Sequence, residues 1–210
     1  MAASQGRIEA LRRLESGEPA VEVFGESPRD LAAAVASATL GEDGSEGLSL
    51  VQRAPGRPRL VAAVSEEALA DVVPRASRPA RLVFAAGLLQ ILDAWDASHE
   101  AAQKADDLGE RRFAAYWHGI AHRREPDAGN ASYWFRRVGR HALFPALGAA
   151  AEALAGRGES IPIGTDGWDP FAMIDLCTRA RPGTDQERLA RRLQRLEMAM
   201  LLEATAAALG

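Results

Sequence analysis

From Arg81 to the C-terminus the apolar residues recur at intervals of three and four, and that period confines the chain to packed helices more firmly than anything else in it. Ala85, Leu88, Leu92, Trp95, His99 and Ala102 fall on one stripe of a first helix, and Phe113, Trp117 and Ile120 on the stripe of a second. Asp107 with Glu110 reads as the capping pair that opens this second helix. Pro126 cannot sit in its interior, so the chain turns through residues 126–129, and Asp127 or Asn130 caps a third helix that runs to Val138 and stops at Gly139. Ala142 to Ala155 forms a further helix, followed by a glycine-rich loop from Gly156 to Gly167. Asp169-Pro170 opens a helix to Thr178, and Thr184 with Glu187 opens the last, whose stripe is Leu189, Leu193, Leu196 and Met200.

The first 78 residues are less regular. Ile8 to Leu14 suits a short helix, Val21 to Phe24 an extended segment, and Ser27-Pro28 the start of a helix that continues to Leu40. Residues 41–47 read as a loop. Leu48 to Arg53 and Arg59 to Val64 flank Ala54-Pro55-Gly56-Arg57-Pro58, the pattern of a small β-hairpin, and Ser65 can cap a helix from Glu66 to Val73. The expected architecture is a mainly α, single-domain helical bundle. Residues 1–78 form an accessory layer with a short irregular or β-hairpin portion, residues 79–210 form the helical body, and every strand falls before Ser65.

With 47% apolar residues the chain can bury a full core. No run of about 18 apolar residues is present, and the start M-A-A-S-Q-G-R has no apolar signal region, so a cytoplasmic protein without a membrane span is expected. Cys177 is the only cysteine, which excludes an internal disulfide. Net charge is -4 and the pI about 5.6, which argues against a nucleic-acid partner. Within this balance Arg111 to His141 carries seven arginines against Glu125 and Asp127, the one basic region in the chain.

All four histidines lie between His99 and His141. His118, His122 and Glu125 follow one another at four and three residues, so at about 100° per residue they project within about 60° of one helix face. That is how a helix presents two imidazoles and a carboxylate to one cation, and a divalent transition metal is the cofactor the pattern admits. His99 from the preceding helix or His141 after the third can complete the set, with Asp96 or Gln103 orienting a ligating ring. The spacing is not H-E-x-x-H, so the zinc-protease arrangement is excluded. The competing account makes these histidines hydrogen-bonded core residues that tie helices together.

A second constellation sets Arg123, Arg124, Arg136, Arg137 and Arg140 beside Trp117, Tyr133 and Trp134, where guanidinium forks and flat rings suit a small anionic molecule. Nucleophilic catalysis has thin support: Cys177 has no histidine near it in sequence, and Ser98 points away from its neighbour His99. The loop from Gly156 to Gly167 matches no phosphate-binding pattern.

The run Y-W-H-G-I-A-H-R-R-E-P-D-A-G-N-A-S-Y-W-F-R-R-V-G-R-H at 116–141, with W-D-P-F-A-M-I-D-L-C at 168–177 and Q-R-L-E at 194–197, resembles a family of bacterial and fungal proteins of unknown function. The resemblance spans roughly residues 85–205 and implies a fold and boundaries, not an activity. It departs at Pro126, where a glycine is expected before the aspartate. The second and third helices also resemble a single tetratricopeptide-type pair, without a second copy at the spacing of a repeat array. Function is therefore expected to be small-ligand or metal binding in a polar His/Glu/Arg pocket. The alternative is a non-catalytic interaction module that holds a protein partner, and enzymatic activity is left open.

Overall fold

The structure is a computed structural model that describes residues 2–41, 45–156 and 158–209. The chain is mainly α-helical, as the period requires. It opens with α1 (Ala2–Glu15), α2 (Ala20–Phe24) and α3 (Pro28–Thr39), the last begun by Ser27, whose side chain accepts from Asp30 N. The short helices α4 (Pro58–Ala63) and α5 (Glu66–Leu69) follow. Two expectations fail here: Val21 to Phe24 lies in α2, and the second arm of the supposed hairpin is α4. Pro58 in the first turn of α4 explains the second failure, because proline favours a helix start and cannot donate to a ladder. The first arm finds its partners elsewhere. The carbonyls of Gly47 and Leu48 accept from Arg191, that of Ser49 from Arg124 and Gln194, and Gln52 N donates to Arg124 O. The expected loop at residues 41–47 lies partly outside the described residues.

The body begins with α6 (Arg78–Ile91), in which every residue from Leu82 to Ile91 is buried, so it runs through the core rather than along its edge. The stripe predicted to continue to Ala102 is broken at Leu92–Ala94, and α7 (Trp95–Asp107) folds back onto α6. Asp93 makes this reversal with φ of 60°, a left-handed conformation that aspartate tolerates better than most residues. Ala94 N closes the turn on Leu89 O at 3.0 Å, and the Ser98 hydroxyl donates to Ala86 O at 2.8 Å to join the two helices.

Asp107 ends α7 and does not cap the next helix. Glu110 does so, its carboxylate accepting from Phe113 N at 3.2 Å and Ala114 N at 2.8 Å. The helix it opens, α8 (Ala114–Arg124), is buried at all eleven positions and packs on α6, α7 and α9 (Ala128–Val138). Asp127 caps α9 as expected, and Gly139 ends it at φ of 59°. Pro126, in the turn between them, sits at φ of 30°, on the side of the map that glycine prefers.

After α10 (Phe144–Leu154) come β1 (Ile163–Gly164) and β2 (Gly167–Trp168), an antiparallel pair in register Ile163 to Trp168. These are the only strands among the described residues, and they lie a hundred residues beyond the expected position. Gly167 takes φ of 97° and touches the start of α10 so closely that a Cβ would stand 2.4 Å from Phe144 O, which a longer side chain would prevent. Then follow α11 (Pro170–Arg179), capped by Asp169, and α12 (Asp185–Ala207), capped by Thr184. The buried face of α12 holds Leu189, Leu193, Glu197, Leu201 and Thr205, while Leu196 and Met200 of the predicted stripe are only partly covered. Apolar side chains from both sides of residue 78, such as Leu11, Leu31, Phe84 and Leu202, join one core cluster. No helix among the described residues is long and apolar enough to cross a membrane.

The approach of α8 to α9 depends on Gly119, where a Cβ would stand 2.9 Å from the Phe135 ring. Gly119→Val is expected to lower unfolding free energy by about 1–3 kcal/mol, because the buried ring has nowhere to move. Gly6→Ala, in open space on α1, is expected to cost nothing. Urea midpoints that are equal for the two variants would show that the α8–α9 spacing is not set by this contact.

Candidate functional site

Every position of α8 is buried, including His118, His122, Arg123 and Arg124, so each polar group along it requires a partner within the protein. Arg123 finds Glu197 of α12 at 2.5 Å, and both are almost wholly excluded from solvent. The same carboxylate accepts from Tyr116 Oη at 3.0 Å and from Trp168 Nε1 at 3.1 Å, so Glu197 ties α8, α12 and β2 together. Arg124 turns the other way. Its guanidinium meets Asp93 Oδ1 at 2.5 Å and donates to the carbonyls of Gln90 and Ser49, both at 3.2 Å.

The predicted arginine pocket is therefore not assembled. Arg123 and Arg124 hold the interior together, Arg137 forks onto both oxygens of Asp106 at 2.8 and 2.7 Å, Arg140 pairs with Asp166 on the surface, and Arg136 is exposed. Trp117 is a core residue with its indole N–H on Thr205 Oγ1, 3.2 Å away, and Gly87 makes room for its ring. Nucleophilic chemistry has no support either, since burial pushes the Cys177 thiol up to about 11 and the Ser98 hydroxyl is spent between α6 and α7.

The histidines do converge, with one exception. The reversal at Asp93 lays α7 along α8, and His99 meets His118 and His122 with ring centroids 4.3 and 5.0 Å apart. His118 and His122, one turn apart on α8, stack at 4.9 Å and an interplanar angle of 19°. Donor atoms of the three all lie within 4.8 Å of one another. Aromatic walls hold the set: Trp134 stacks on His118 at 3.8 Å, and Trp95 on His99 at 4.9 Å while its indole N–H bonds to Ala121 O. His122 Nδ1 lies 2.8 Å from Glu125 Oε2, so it donates to the carboxylate and leaves its Nε2 lone pair free. His118 Nδ1 is buried without a hydrogen-bond partner.

His141 stands apart, edge-on to Phe113 and Tyr116, with Nδ1 accepting from Leu143 N at 3.2 Å. Glu125 and Asp127 form a second, more exposed donor set with His122, but Asp127 is already engaged in capping α9. Gln103 binds Asp107 and Asp96 is exposed, so neither holds a histidine ring. Sequence spacing did not reveal Trp95 or Glu197. Trp95 stands four residues before His99, and Glu197 interrupts the four-residue spacing Leu189, Leu193, Leu201; these patterns were the available signals.

Burial holds His118 down at about 3, helped by His99, His122 and Arg137, and lowers His99 as well. Burial also holds His141 down at about 4, with Arg112 adding to the effect. These rings are neutral at pH 7, the form that can accept a cation.

Two outcomes follow for the chelator-treated protein. Glu197→Ala strands a buried guanidinium together with two ring donors and is expected to cost about 3–5 kcal/mol in urea unfolding, whereas Arg140→Ala at the exposed pair should leave the midpoint in place. Stability should also fall with acid. Below about pH 6.5 the unfolded chain takes up imidazole protons that folded His118 and His141 refuse, so their contribution is complete above that pH and declines towards pH 4. His141→Leu should flatten part of this decline, and midpoints identical at pH 7 and pH 5 in the unmodified protein would contradict it. Comparison of the chain with protein-family models, with curated proteins and with solved structures returns no match.

Proposed function

We propose that this protein binds one first-row transition-metal ion through His99, His118 and His122, with Glu125 orienting His122 from behind. The carrying observation is the triangle of imidazoles, with centroids 4.3, 4.9 and 5.0 Å apart. A metal–nitrogen bond is about 2.1 Å and the ring centre lies about 1.1 Å beyond the nitrogen. Three imidazoles on one ion therefore have centroids about 4.5 Å apart at right-angle coordination and about 5.2 Å apart at tetrahedral coordination. The observed triangle falls close to this range before any ion is considered.

Three features support the reading. His118 Nδ1 is a buried polar atom for which the protein supplies no partner, and unlike the buried guanidinium nitrogens of Arg123 and Arg124 that share this state it can offer a lone pair to an ion. The Glu125–His122 contact repeats the carboxylate–imidazole arrangement that fixes a ligating tautomer. An all-imidazole set suits zinc, copper, nickel or iron and is poorly suited to calcium or magnesium, which take oxygen ligands. In this reading the four aromatic and imidazole rings that share no ligand role, Trp95, Trp134, Trp117 and His141, serve packing and shape.

The test is metal analysis of protein purified without chelators, followed by calorimetric titration with zinc and nickel. Stoichiometric binding is expected in the unmodified protein and in His141→Ala, and none in the His118→Ala/His122→Ala double variant with its helical circular-dichroism signal retained. Glu125→Gln should weaken binding by about 10- to 100-fold. Absence of bound metal together with no thermal shift on adding either ion would leave the histidines as a packed imidazole cluster.

A further inference from the structure

Resting on that metal reading, we infer that the ion keeps one exchangeable coordination position on the side of Trp95 and Asp96, and that this position takes water or a small monoanion. His99, His118 and His122 are the three donors that converge at this point, and the groups that could close the site are turned to other tasks. Glu125 lies against Nδ1 of His122, on the opposite side of the ring from its free nitrogen. Asp127 caps α9, Gln103 donates to Asp107, and His141 is enclosed by Phe113, Tyr116 and Phe144. Sites that serve structure close all four positions with protein ligands, and a three-ligand set leaves the fourth to solvent or substrate.

The direction of the opening follows from burial. His118 and His122 are buried, and Trp134 covers one face of His118. His99 and Trp95 are only partly covered, so the ion communicates with solvent past their edges. Three neutral imidazoles leave the full double charge on the metal, which favours an anion as fourth ligand. Asp96, exposed and next in sequence to Trp95, disfavours a ligand that carries more than one negative charge. The ligand class is thus a small singly charged or neutral molecule, not a phosphate ester.

The experiment uses the full-length protein loaded with cobalt(II), whose visible ligand-field bands report the coordination shell. Azide should change band position and intensity saturably at one equivalent bound, inorganic phosphate should need at least a tenfold higher concentration for any change, and Asp96→Asn should tighten azide binding by roughly threefold. Bands that are present and indifferent to azide would overturn the open position and leave the metal site standing. Phosphate binding as tightly as azide, or an Asp96→Asn variant unchanged towards azide, would overturn the assigned ligand class and mouth. Absence of ligand-field bands would overturn the metal reading and this inference with it.

Discussion

The buried contact between Arg123 and Glu197 is the interaction on which the remaining arrangement rests. A helix with solvent on no side cannot leave a guanidinium unpaired, since an isolated charge in the interior is far more costly than one matched and hydrogen-bonded. Arg123 and Arg124 are consecutive, so their side chains leave α8 about 100° apart and require partners in two directions. Glu197 on α12 answers one and Asp93 in the α6–α7 turn answers the other. Two pins at different angles fix the rotation of α8 about its own axis. That rotation, once fixed, decides that His118 and His122 face α7.

Asp93 has a second part in the same geometry. Its backbone makes the reversal that brings His99 back along α8, and its carboxylate holds Arg124. The polar core and the imidazole cluster therefore share a residue without sharing a function. Removing the carboxylate would disturb the seating of α8, and a β-branched residue at this φ would disturb the entry of α7 as well.

How far the sequence could be read follows from these details. Caps at Ser27, Asp127, Asp169 and Thr184 were legible because a side-chain oxygen bonding an N–H two or three residues ahead is a local event. The four-residue pairing of His118 with His122 was legible for the same reason. The break at Asp93 was not, since no glycine or proline marks it and the turn is stabilised by an arginine 31 residues away. His99 was expected on the inward stripe of one continuous helix, but that helix is broken, and its approach to the other two rings depends on the unmarked reversal. The arginines of the basic stretch read as a ligand-binding surface because their counter-charges, Asp93, Asp106 and Glu197, lie far off in sequence. Strand position failed for a comparable reason: Leu48 and Ser49 bond to side chains of α8 and α12, and Gln52 N to the Arg124 carbonyl, rather than to a neighbouring strand, and nothing local announces such partners.

Gly119 lies between His118 and Ile120 and contributes no atoms to the cluster, yet its lack of a side chain lets the Phe135 ring press against α8. Phe135 follows Trp134, so the distance between the two helix backbones also sets how tightly the indole covers His118. The helix spacing and the imidazole wall are then one mechanical quantity, read at two places. A position chosen purely for fit thereby governs how rigidly the ring of the preceding residue is held, and drift in the spacing at Gly119 would surface first as wobble in His118.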